Sequence, residues 1–161
     1  MAELFGGIDV GKSGAIGIVD GHGQVHSVCD MPFLDSARKD IDVKQVLALL
    51  RPCRFVALEY QQVFPAQGAV SAFTLGDQYG ALRGLLIGAD IPFQVIKPTV
   101  WKPGMSIPAK AEKSESKIVA SRLWPTADLG TRQDQGRSDA LLLAEYGRRM
   151  MTSSLYAPPE E

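Results

Sequence analysis

At 161 residues the chain has room for one ordinary globular domain and not for two full ones. Hydrophobic residues at 45% and charged residues at 22% suit a packed core, and no apolar run approaches the roughly 20 residues that cross a bilayer. The net charge of −1 does not by itself announce a nucleic-acid binder.

The opening Met1-Ala-Glu-Leu-Phe5 lacks a basic stretch followed by an apolar one, so no secretory signal is read and a cytoplasmic location is the expectation. Leu4 to Val10 is short, apolar and β-prone; Gly14 to Val19 reads as a second strand, ended by the turn Asp20-Gly-His-Gly23. Gln24 to Met31 alternates as a third strand, and tight turns make the three an antiparallel meander. His22, His26 and Cys29 are close together, but zinc is disfavoured because no second ligand pair follows; Cys29 and Cys53 read as reduced, buried thiols.

After the polar loop from Pro32, helical spacing begins at Asp42 and runs to Leu50. Phe55-Val-Ala-Leu-Glu-Tyr60 is a nearly continuous apolar run, typical of a central buried strand, with one carboxylate, Glu59, near its end. Ala69 to Gly88 reads as a long helix with Val70, Phe73, Tyr79, Leu82, Leu85 and Leu86 on its apolar side. Pro92 to Ile96 is a fifth strand, followed by a short turn at Pro98 to Lys102. A charged helix from about Ala111 to Leu123 and a final helix from Ser138 to about Met151 complete the order β-β-β-α-β-α-β-α-α. Such an order builds an α/β domain over residues 1–152: a mixed five-stranded sheet, three antiparallel strands plus parallel ones, with helices on both faces, as in the ribonuclease H-like fold. Residues 153–161 are expected to form a flexible tail.

Gly6-Gly-Ile-Asp-Val-Gly-Lys-Ser13 matches the phosphate-loop pattern G-x-x-x-x-G-K-[ST]. That loop must be followed by a helix N-terminus aimed at phosphate, and here the next residues form a strand, so the match is set aside. The same turn resembles a phosphate motif of actin-like ATPases, which need two such domains.

Asp9 stands in the first strand, at its centre by this reading, and Glu59 at the C-terminal end of the fourth. If those strands are parallel neighbours the two carboxylates meet. Like charges about 4 Å apart repel by roughly 4 kcal/mol at an effective dielectric near 20, which protonation or a divalent cation between them relieves. Asp139 lies in the first turn of an otherwise apolar helix, where an acid ordinarily serves the helix dipole. Packing of that helix through Ala140, Leu143 and Ala144 would aim Asp139 at the same strand ends, and Asp134 is available from the preceding loop. Between Lys97 and Arg122 six basic residues face only Glu112 and Glu115. That flank suits phosphate contacts, or simply a solvated helix.

Gly7-Ile-Asp-Val-Gly11, Ala57-Leu-Glu-Tyr60 and Ser138-Asp-Ala-Leu-Leu-Leu-Ala144 resemble, in order and spacing, the three acidic motifs of RuvC-type Holliday-junction resolvases. Lys97-Pro-Thr-Val-Trp-Lys102 and Leu123-Trp-Pro125 are similar to the phage-borne branch, which would place the protein in a bacterial host cell. The resemblance spans about residues 5 to 150. It implies a magnesium-dependent endonuclease, homodimeric, that binds branched DNA and resolves four-way junctions by paired symmetric nicks. By motif position Asp9, Glu59 and Asp139 are the expected catalytic metal ligands, holding two Mg²⁺ (or Mn²⁺) roughly 4 Å apart. The family's further acid or histidine, three residues before the last aspartate, is replaced here by Gly136, and Asp134 is the expected substitute. Phe64, in a loop that resembles the family's junction-reaching segment, is expected either to stack on a base or to pack in the core. Lys102, Lys110, Lys113, Lys117 and Arg137 are read as backbone contacts or ordinary surface. The long helix from Ala69 either supplies dimer surface or only covers the sheet. Two other readings stay open: a ribonuclease H-like nuclease acting on flaps, forks or RNA–DNA hybrids, and a noncatalytic junction-binding module.

Overall fold

The computed structural model describes residues 3–36, 39–108, 111–112, 114–131 and 135–153. Five strands form one sheet: β1 (Leu4–Asp9), β2 (Ala15–Asp20), β3 (Val25–Asp30), β4 (Cys53–Glu59) and β5 (Phe93–Ile96), in the spatial order β3-β2-β1-β4-β5. The β1–β2 and β2–β3 pairs are antiparallel, while β1–β4 and β4–β5 are parallel. This is the mixed sheet expected from the order of elements. Ser13 leads into β2 rather than a helix, which disposes of the phosphate-loop match.

Side chains alternate across a strand, and the alternation divides the core in two. Ile8, Ile16, Ile18, Val56 and Leu58 face one side, under helices α1 (Val43–Leu50) and α2 (Ala69–Gly88). Phe5, Val19, Phe55 and Ala57 face the other, against α3 (Pro98–Gly104), α4 (Glu115–Leu123) and α5 (Gly136–Thr152). Asp9 shares the parity of Phe5, and Glu59 that of Phe55 and Ala57. Both acids therefore belong to the α5 face.

α5 is buried along most of its length and lies directly on the sheet. Glycine makes this approach possible. A Cβ on Gly7 would stand 2.2 Å from the Ala140 carbonyl oxygen and 2.4 Å from the Ala144 nitrogen; one on Gly17 would stand 2.6 Å from the Leu141 nitrogen. Backbone thus rests on backbone.

Several expected details are corrected. Asp9 ends β1 instead of standing at its centre. The segment from Pro98 is a helix, not a turn: Pro98 sits at its first position, where a missing N–H costs nothing. α4 begins at Glu115, later than expected, and α5 at Gly136, earlier. Val70 and Phe73 are 82% and 71% exposed, so the core-facing side of α2 is built on Leu82 and Leu86 instead, with Tyr79 and Leu85 partly buried. Cys29 and Cys53 are free thiols, and burial pushes Cys53 up to about 12. Residues 154–161 of the expected tail lie outside the described residues; Ser153 caps α5. Among the described residues no helix is long and apolar enough to cross a membrane.

Candidate functional site

The β1–β4 register ends at the pair Ile8–Leu58, so the next residue on each parallel strand is an acid, Asp9 on one and Glu59 on the other. Neighbouring strands lie about 4.8 Å apart, and the two share a face. Asp139 comes to the same end of the sheet because α5 starts there, with Ala140 seated over Gly7 one residue later. Asp9 and Asp139 line one cleft together with Lys12, Ser13, Gln61 and Lys102.

Glu59 is hydrogen-bonded through both carboxylate oxygens. Its Oε2 accepts a 2.8 Å hydrogen bond from the indole Nε1 of Trp101, and its Oε1 a long one of 3.5 Å from Gln61 Nε2. Burial raises the Glu59 carboxyl above the usual range and the Asp139 charge raises it further; the bond from Trp101 and the positive charge of Lys102 work against this. Burial raises Asp139 as well, opposed by a hydrogen bond from Ser116 and by Lys102. One Asp139 oxygen, Oδ1, is buried with no hydrogen-bond partner. A buried acceptor left in this state is costly unless something fills the gap.

The arrangement stops short of a coordination shell. Among the described residues no group of three acidic, histidine or cysteine side chains is placed to hold a metal ion as it stands. Glu59 and Asp139 are electrostatically joined, and Asp9 and Asp139 share a cleft wall. The chemistry of the donors fits a hard divalent cation: carboxylate oxygens, one of them unsatisfied, pressed together at the cost of raised affinity for protons.

Gly136, at the position where the sequence resemblance would expect a further acid or histidine, has a structural explanation. A Cβ there would stand 2.0 Å from the Ser13 carbonyl oxygen. No side chain fits between the start of α5 and the β1–β2 turn. The substitute Asp134 lies outside the described residues, as do Lys110 and Lys113.

The remaining basic candidates differ in circumstance. Lys102 lines the cleft, with its Nζ 5.4 Å from the centre of the Trp101 ring. Lys117 donates to the carbonyl oxygens of Gly130, at 2.9 Å, and Thr131. Arg137 is held between two carboxylates, with Asp30 accepting at 2.7 and 3.0 Å and Asp128 at 2.6 Å. These bonds hold Arg137 firmly protonated and lower the Asp30 carboxyl. Phe64 is 61% exposed, which excludes the core-packing alternative.

Sequence reasoning missed Trp101, Gln61 and Ser116 as partners of the acids. The proline-led start of α3 was the available signal for Trp101. A polar side chain that meets its partner only through the fold, such as Ser116, leaves none.

No protein-family model matches the chain, and no curated protein matches it. Solved structures do. A Thermus thermophilus RuvC structure superimposes with a TM-score of 0.64 at 21% identity, covering 89% of this chain and 92% of that one. T. thermophilus RuvC in complex with a Holliday junction substrate gives 0.62 at 18% identity, covering 89% and 91%. The chain has the fold of these RuvC structures over nearly its whole length, a ribonuclease H-like sheet with helices on both faces.

Proposed function

We propose that the protein is a divalent-metal-dependent endonuclease that resolves four-way DNA junctions by paired nicks, as a homodimer. The observation that carries this reading is the pair of buried carboxylates, Glu59 and Asp139, raised toward protonation, with one Asp139 oxygen unsatisfied and Asp9 on the cleft that Asp139 lines. The likeness to a RuvC structure bound to a Holliday junction supports the choice of substrate. Asp9, Glu59 and Asp139 would hold the metal. Mg²⁺, or Mn²⁺ in its place, supplies Lewis-acid activation of water and neutralises the leaving oxygen when bound. Lys102 adds positive charge on the cleft wall, where a phosphate would approach, and Phe64 stands ready to stack on a base of the opened junction. Lys110, Lys113 and Asp134 keep their expected roles as backbone contacts and substitute ligand. Arg137 and Lys117 act instead on the protein itself, bracing the segment around Asp128 to Thr131. Affiliation with the phage-borne branch rests on the segments 97–102 and 123–125.

A synthetic four-way junction incubated with Mg²⁺ and then with Ca²⁺ tests the reading. Symmetric paired nicks with Mg²⁺ alone are expected. Binding without cutting in both ions would point to a noncatalytic module, and preference for a flap, fork or RNA–DNA hybrid to a different nuclease. Asp9→Asn is expected to keep junction binding and to lose cleavage about a thousandfold, several kcal/mol of lost charge stabilisation; retained cutting overturns the metal assignment.

α2 supports the homodimer. Gly76, Gly80, Gly84 and Gly88 repeat every fourth residue, and a Cβ on any of them would meet nothing within 4 Å. Glycine inside a helix costs about 1 kcal/mol relative to alanine, and no contact among the described residues requires it here. Val70, Phe73 and Ile87 are 82%, 71% and 64% exposed nearby. A second α2 crossing antiparallel at Gly80 would set Phe73 against Ile87, Gly76 against Gly84 and Asp77 against Arg83. The patch is thus complementary to itself, as a two-fold interface requires. Gly80→Leu is expected to yield a monomer in light scattering and to uncouple the two nicks; an unchanged dimer overturns this interface.

A further inference from the structure

We infer that Trp101 is a positioning residue for Glu59, its indole N–H holding the carboxylate in the orientation that cation binding needs. This inference rests on the metal-dependent reading above and adds a residue to it.

Trp101 is fully buried on α3, and its single donor is spent on a carboxylate oxygen at 2.8 Å, not on a backbone carbonyl. An indole N–H in the interior must find a partner. Here the partner is a carboxylate on a side chain with several torsions, which the bond restrains. Gln61 approaches the other oxygen only at 3.5 Å, so the indole is the stronger restraint. The ring is itself fixed: it packs with Phe5, Phe55, Ile96 and Met105 in the core on the α5 face. The restraint on Glu59 is therefore as rigid as the core. Lys102, next in sequence, places its ammonium 5.4 Å from the same ring, on the wall of the cleft. α3 thus delivers both a donor to Glu59 and a cation to the cleft that Asp9 and Asp139 line. Partners that orient a metal ligand from behind are commonly worth ten- to a hundredfold in metal affinity.

The alternative is that Trp101 only fills volume, and the protein contains its own control. Trp124 is also buried, and its Nε1 donates at 2.8 Å to the carbonyl oxygen of Gly23, in the β2–β3 turn. Trp101→Phe and Trp124→Phe each remove one buried indole and one hydrogen bond. Both should lower the melting temperature of the metal-free protein. In a Mg²⁺ titration read by thermal shift, half-saturation is expected to move up about ten- to a hundredfold in Trp101→Phe and by less than twofold in Trp124→Phe. A second readout needs no Trp101 variant. In Trp124→Phe the sole remaining indole is Trp101, and its fluorescence should change with Mg²⁺ over the concentrations that raise the melting temperature. Equal half-saturation in the two variants, or a Trp101 emission blind to bound Mg²⁺, overturns the positioning role alone. Absence of any Mg²⁺ effect on the unaltered protein overturns the metal reading and this inference with it.

Discussion

Gly7→Ala is expected to lower the melting temperature by about 6–12 °C and to abolish junction cleavage together. The added methyl would stand 2.2 Å from the Ala140 oxygen and 2.4 Å from the Ala144 nitrogen. Both obstacles are backbone of α5, so no rotamer change relieves the clash and the helix must retreat. Overpacking of a well-filled core costs about 1–3 kcal/mol, and rigid obstacles put this case at the upper end. For a chain of this size each kcal/mol is worth about 2–4 °C. Activity falls further than stability does, because Asp139 travels with α5 while Asp9 stays on β1. Gly21→Ala is the matched control: its nearest neighbour would be 3.8 Å away, an ordinary contact. Thermal unfolding and junction cleavage are measured on both. A Gly7→Ala protein that melts with its parent would mean that α5 does not rest on β1.

Asp139→Asn should move stability and activity in opposite directions. The carboxyl is raised by burial, so folding favours its neutral form relative to the unfolded chain. A raised carboxyl contributes stability fully below its unfolded value near 4 and loses it as pH climbs through the raised value. Wherever the group is ionised it therefore costs the fold stability, and Glu59 beside it is raised by the same charge. Asparagine removes that charge while keeping the shape. The variant is expected to melt a few degrees above its parent at pH 7 without metal. The gain should shrink as pH falls toward and below the unfolded value near 4, where the parent carboxyl takes up its proton in both states. Cleavage should drop about a thousandfold or more, as several kcal/mol of metal-borne stabilisation is lost. A variant less stable than its parent at pH 7 would show that the hydrogen bond from Ser116 to the Asp139 carboxylate outweighs the cost of burying it.

The sheet was legible because strand periodicity and burial agree. Leu4–Asp9, Ala15–Asp20 and Cys53–Glu59 are short apolar runs closed by an acid, and the two acids that share the α5 face stand at the ends of neighbouring parallel strands. The placement of Asp139 also followed, since an apolar helix that carries one acid in its first turn has few ways to pack. Less of α2 was legible. Val70 and Phe73 fit a helical stripe on paper, yet that end of the helix carries them out to solvent. Periodicity reports which residues share a side, not which side meets the core. α3 was missed because seven residues with two prolines look like a turn until tertiary packing on Trp101 holds them. The engagement of Arg137 by Asp30 joins residues 107 apart along the chain, beyond any local pattern.

The contact between Gly136 and the Ser13 carbonyl oxygen bears on any attempt to rebuild the centre. Grafting an aspartate or histidine onto position 136 would drive a wedge under the hairpin that carries Asp9, displacing one proposed ligand in the act of adding another. Repair has to start with the hairpin: shortening or re-angling the 11–14 turn first, then introducing the new donor. The tight seam thus makes a donor at position 136 a two-step change, since the side chain has no room until the turn has moved.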